Sequence, residues 1–209
     1  TEEYTIVRAK VSDASVRSQI RDGVGILTIT RFDDQTGRLA RQAAEQFVQQ
    51  GVRAVVLDLR DNGGGYVTAA REVASLWLEN KVVVVEKSGD VVRDTVQSSG
   101  QALLKGVKTT VLVNGNSASA SEIVAGALHD HKAATLLGEK TFGKGTVQKL
   151  FDLPDGRKLK ITVARWYTPS GRNISQGGIA PDTEVKMSTD DRNAGRDPQL
   201  DSALQKFAE

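Results

Sequence analysis

The chain has no cysteine among its 209 residues, which excludes disulfides, a thiol nucleophile and cysteine-ligated zinc together. Histidine is almost as scarce. His129 and His131 are the whole supply, which leaves no basis for a histidine-rich metal site. No run of about 18 apolar residues occurs, so the sequence predicts no membrane-spanning helix. The opening Thr1-Glu-Glu-Tyr-Thr has neither the basic nor the apolar region of a signal peptide. Also missing is a basic excess: the formal net charge is +2 with 26% charged residues, not the footprint of a nucleic-acid binder. Absence of cysteine suits oxidising and reducing compartments alike and does not place the protein. What is left is the composition of a soluble globular protein, 39% hydrophobic and long enough to bury one full core with small appendages.

The patterning alternates between strand and helix. Tyr4 to Val11 and Val24 to Phe32 read as strands, and residues 37–50 place Leu39, Ala40, Ala43, Phe47 and Val48 at helical spacing before a Gly51 stop. Residues 53–59 form a near-continuous apolar run, the mark of a strand buried on both faces. After the glycine run 63–65 come a helix over 67–78, a hairpin of 81–85 with 91–96 around Ser88-Gly-Asp90, and a buried strand over 108–114. A helix over 119–129, a short strand over 134–138, a hairpin of 146–153 with 158–167 around Asp155-Gly156, and a last helix over 198–207 complete the series. The succession predicts an α/β fold with a largely parallel sheet, whose functional residues gather at the carboxyl ends of strands.

Three unusual segments fall at such ends: Asn62-Gly-Gly-Gly65, Ser117-Ala-Ser-Ala-Ser-Glu122 and Phe142-Gly-Lys-Gly145. Ser119 opens a helix, where free N–H groups and the positive end of the helix dipole favour a developing anion. The structural alternative makes the three serines N-caps, with Glu122 completing a capping box. The glycines are either a tight turn or bare backbone that brings an N–H donor to an oxyanion. Lys144 is either a solvated loop lysine or the base for a serine, a task that requires its amine to lose a proton far more readily than a free lysine does. A Ser-His-Asp triad through His129 fails on distance, because ten residues of helix span about 15 Å. The Walker spacing that a phosphate loop needs is absent around Lys144.

In its order of motifs the chain resembles the carboxyl-terminal processing, or tail-specific, serine proteases. The matching segments are Asp58-Leu-Arg-Asp-Asn-Gly-Gly-Gly65, the stretch from Val113 to Leu128, the stretch from Gly138 to Gln148, and the stretch from Thr162 to Gly171 with Gly178-Ile-Ala-Pro-Asp182. The resemblance implies a crotonase/Clp-protease-like core of repeated ββα units with flanking strands. It implies Ser119 as nucleophile, Lys144 as general base and Gln148 as the residue that orients the lysine. The N–H groups of Ala120 and of Gly64, or alternatively Gly65, become the oxyanion donors. No cofactor or metal is implied. The implied partners are protein or peptide substrates with apolar C-terminal tails, and a regulatory adaptor or an oligomer. The implied location is the bacterial cell envelope, periplasmic or extracytoplasmic.

Two departures stand out. Gly63 occupies a position where the family usually has proline, and no span resembles the PDZ domain that usually precedes the core. The expected organisation is therefore a remnant or linker strand over 1–12, a protease core over 13–187 and a C-terminal segment with a short helix over 188–209. Two rival readings share this fold: a non-catalytic binding module like the retinoid-binding repeats, and a crotonase-type enzyme acting on a thioester. Neither gives Ser119 and Lys144 a joint task.

Overall fold

The computed structural model describes residues 13–154, 156–175 and 177–208, with only the backbone described at 149 and 150. The first predicted strand, Tyr4 to Val11, lies outside the described residues. In chain order the elements are β1 (Val16–Arg21), β2 (Val24–Ile29), α1 (Thr36–Gln49), β3 (Ala54–Asp58), α2 (Val67–Ala74), β4 (Val82–Ser88), β5 (Val91–Gln97) and β6 (Lys108–Val113). They continue with α3 (Ala120–Asp130), β7 (Thr135–Gly138), β8 (Thr146–Asp152), β9 (Lys158–Tyr167), β10 (Thr183–Glu184), α4 (Thr189–Asn193) and α5 (Pro198–Gln205).

Six strands form the central sheet in the order β1-β2-β3-β6-β7-β10. All neighbours from β2 to β10 run parallel, and β1 alone is antiparallel. The alternation within each strand shows why the apolar runs are continuous. Val55 and Leu57 join Val111, Val113 and Leu136 in the core on the side of α1, α2 and α3. Ala54 and Val56 point the other way with Val24, Ile26, Leu112 and Leu137, where Leu200, Ala203, Leu204 and Phe207 of the α5 region cover them. Both faces are thus buried, as a parallel sheet requires. Three of the four parallel connections carry a helix: α1 from β2 to β3, α2 followed by the β4–β5 hairpin from β3 to β6, and α3 from β6 to β7; the fourth, from β7 to β10, runs through β8 and β9.

A second sheet has the order β5-β4-β9-β8 and is antiparallel throughout. Ala164 and Trp166 at the end of β9 are buried, whereas residues 158–163 are exposed on both faces, Leu159, Ile161 and Val163 included. Strand β1 and the short α4 and β10 were not legible in the pattern. Five of the six residues of β1 are exposed, so its side chains carry no alternation; pairing with β2 creates it.

Candidate active site

The three unusual segments meet at the carboxyl ends of β3, β6 and β7, which are neighbours in the central sheet. Main-chain bonds tie them together. Asn62 in the glycine turn accepts at its carbonyl the Ala118 N–H at 3.0 Å and the Ser121 hydroxyl at 2.9 Å. Its buried side-chain amide donates to the Ile29 carbonyl at 2.7 Å. Ser117 donates its hydroxyl to the Leu59 carbonyl at 2.8 Å and accepts the Asn114 N–H at 3.0 Å. Asn114 and Asn116 both donate to Asp61 Oδ1, at 2.9 and 2.8 Å. These amide bonds, Asn116 first, hold the Asp61 carboxyl below the ordinary carboxylate value. Ser117 and Ser121 are fully buried and donate their hydroxyls to carbonyls of the turn after β3; their role is structural but not that of N-caps, since Ser119 alone of the three caps α3 and Ser121 lies within it.

Ser119 differs. It is the N-cap of α3, partly exposed, with φ +57° and ψ −114°, a conformation that a side chain with a Cβ adopts only when its surroundings impose it. Gly64 lies directly against it. A methyl group built on Gly64 would stand 2.7 Å from the Ala118 carbonyl oxygen, 2.7 Å from Ser119 Cβ and 2.9 Å from the Ala120 nitrogen, and φ at Gly64 is +99°. Only glycine permits both the approach and the dihedral. The Gly64 N–H donates to Asn62 Oδ1 at 2.9 Å. The N–H groups of Gly65 and Ala120 have no hydrogen-bond partner among the described residues.

The lysine loop is fixed from both sides. Phe142 N–H donates to the Ser117 carbonyl at 3.0 Å. A Cβ on Gly143 would meet Gly178 N at 2.8 Å, and one on Gly145 would meet Ser175 N at 2.5 Å, so the small residues flanking Lys144 serve a close backbone approach. The residue that joins this loop to the serine turn is Glu122, 0% exposed. Its Oε2 accepts both the Ser119 N–H and the Lys144 N–H, each at 2.9 Å. Two nitrogens bonded to one oxygen lie no more than twice that distance apart, well within the span of a lysine's four-carbon stem. The Lys144 side chain itself is exposed, and among the described residues no hydrogen bond joins its amine to Ser119 Oγ or to Gln148. Gln148 is exposed on β8 and pairs with Thr162, next to a register shift at Val147. The main chains of the serine and lysine are brought together through Glu122, without a hydrogen bond between the two side chains.

His129 sits at the far end of α3, where its Nε2 lies 2.9 Å from Asp182 Oδ1, and His131 Nε2 lies 2.7 Å from the Val82 carbonyl. Both are distant from Ser119, as the helix length predicted. A cavity of about 750 Å³, bordered by Trp77, Lys108, Lys132 and Phe207, opens at the amino-terminal ends of the strands, away from every predicted site residue. Among the described residues no group of three His, Asp or Glu could hold a metal ion, and no helix is long and apolar enough to cross a membrane. Asn62, Thr141 and the full reach of Glu122 escaped the sequence reading. The Ser-x-x-Glu pattern flags Glu122 as a cap, but its partners at 141–144 become neighbours only when β6 and β7 pair.

Residues 23–185 match the model of peptidase family S41. The chain is 41% identical over 187 residues to a probable CtpA-like serine protease of Staphylococcus haemolyticus, covering 88% of this chain and 37% of that protein. It is 38% identical over 191 residues to a carboxyl-terminal-processing protease of Synechocystis, covering 89% and 44%. The chain thus spans less than half the length of these relatives. Among solved structures, the photosystem II D1 C-terminal processing protease superposes with a TM-score of 0.80 at 34% identity, covering 86% of this chain and 50% of that one. With its family model matched over residues 23–185 and relatives at 38–41% identity across nearly nine-tenths of its length, the chain belongs to peptidase family S41.

Proposed function

We propose that this chain carries the catalytic core of a serine endopeptidase that cleaves proteins near their C-termini. Ser119 is its nucleophile, Lys144 its general base and Gln148 the residue that orients the lysine. The observation that carries this reading is the shared Glu122 oxygen, which holds the Ser119 and Lys144 main chains within side-chain reach of each other. In the reaction, the uncharged Lys144 amine takes the Ser119 hydroxyl proton as Oγ attacks the peptide carbonyl. The carbonyl oxygen becomes an oxyanion that accepts the Ala120 N–H and a glycine N–H. Collapse breaks the C–N bond, the lysine returns its proton to the leaving amine, and an acyl-enzyme remains. Water then attacks with Lys144 again as base, and Ser119 is regenerated. A peptide lying over the exposed lysine supplies the desolvation that such a base needs.

Gly64 can serve as second donor only by releasing Asn62 Oδ1, while the Gly65 N–H is already without a partner among the described residues. Substrates with apolar C-terminal tails, an adaptor or oligomer, and a place in the bacterial cell envelope follow from the family resemblance and belong to the same proposal. The test is cleavage of an unstructured, apolar-tailed protein, followed by mass spectrometry. Ser119→Ala should abolish cleavage, and Lys144→Ala should slow it by about 100- to 10,000-fold. Wild-type rates in either variant would refute the assignment.

A further inference from the structure

Glu122 does more than cap a helix. A capping box needs its carboxylate only at the Ser119 N–H. Here Oε2 also takes the Lys144 N–H, and Oε1 takes the Thr141 hydroxyl and the Gly143 N–H, both at 2.7 Å. All four acceptor positions of the carboxylate are thereby used, one on the turn that carries Ser119 and three on the segment that carries Lys144. Thr141 is anchored in turn, since its hydroxyl accepts the Ile179 N–H at 2.7 Å. The carboxylate is a rigid plane with no exposed surface, so the two segments share one fixed reference.

We propose that Glu122 is a positioning residue for the serine–lysine pair. Its carboxylate sets the separation of the Ser119 and Lys144 main chains, so that rotation of the Lys144 side chain is the one movement left to bring amine and hydroxyl together. The inference rests on the dyad reading above. It adds that the lysine loop is held in register from within the nucleophile's own helix, with no contact to substrate required.

The test is Glu122→Gln. The amide keeps one acceptor oxygen, so two of the four bonds survive while its NH₂ group faces N–H donors. Amide exchange at Gly143 and Lys144 should accelerate by about tenfold or more while β3 and β6 keep their protection, and kcat should fall by about 100-fold with KM within about twofold. Normal exchange at 143 and 144, or faster exchange with wild-type kcat, overturns the proposal. Thr141→Val, which removes one donor to Glu122 together with the acceptor of the Ile179 N–H, provides a second reading even if Glu122→Gln fails to fold. It should lower kcat by about three- to tenfold, with Thr141→Ser restoring it, and unchanged kcat in Thr141→Val counts against the proposal. Ser119→Ala should lose cleavage with exchange at 143 and 144 unchanged. Retained cleavage there defeats the dyad reading, and does so through a different variant.

Discussion

Of three consecutive glycines, two are held by close contacts and one is not. A Cβ on Gly63 would meet nothing within 4 Å, whereas one on Gly64 would strike the Ala118 carbonyl and Ser119, and one on Gly65 would overlap the Phe32 carbonyl at 2.0 Å. Gly63→Ala should therefore be neutral to stabilising by about 0.5 kcal/mol, with proteolysis intact. Gly64→Ala should cost roughly 1–3 kcal/mol and, by pushing the serine turn away, lower kcat far more than its effect on melting temperature accounts for. Thermal unfolding and steady-state kinetics on the pair check both statements. Equal behaviour of the two variants would mean that the contact between the glycine run and Ser119 is not the constraint. The open position is also the one where the family usually has proline, so this departure touches no packed contact at residue 63.

At the scale of elements, α5 is fastened to the end of β3 by more than its apolar face. The Arg60 guanidinium bonds both oxygens of Asp58, both oxygens of Asp197 and Gln199 Oε1, at 2.7 to 2.9 Å. Burial alone would raise the Asp197 carboxyl, but the Arg60 guanidinium and the Leu200 N–H outweigh it and hold it below the ordinary value. Above about pH 5 the carboxyl is ionised in both folded and unfolded chains, and its stabilisation is complete; loss begins as pH approaches the ordinary value of about 4. As pH falls through that value toward the depressed one, the unfolded chain takes up the proton first and the stabilisation is lost. Amide protection in α5 should accordingly hold steady from pH 7 to 5 and fall below about 4, with Asp197→Asn flattening the dependence. The sequence announces α5 by Pro198 and its apolar spacing, yet sets it in a separate segment from 188 onward. Its partners Val24, Ile26 and Leu112 are visible only once the alternate face of each parallel strand is known. The helix and strand series was legible because burial on both faces leaves long apolar runs; β1 was not, because an exposed edge leaves none.

Across the whole molecule, the two sheets are unequally supported. The central one is covered on both faces, whereas residues 158–163 of β9 are exposed on both. Local opening should follow that difference: amides of β8 and of 158–163 in β9 should exchange at least tenfold faster than those of β3 and β6, as read by native-state hydrogen exchange. Uniform protection would mean that the two sheets open as one. The proposed site draws on both, with Ser119 and the glycine run on the covered sheet and Gln148 on the less covered one. This explains why the meeting of the serine turn and the glycine run was legible in the motifs while the side-chain geometry of Lys144 and Gln148 was not. The first depends on strand ends, the second on how one hairpin stands against another. The Asn62 carbonyl that receives Ala118 and Ser121, one on either side of Ser119, belongs to a different strand connection from the serine itself. The turn that carries Ser119 is therefore completed only where β3 and β6 pair. Under the proposed dyad, Ser119 stays an ordinary hydroxyl until that pairing, and a half-made molecule carries no armed nucleophile into a crowded cell.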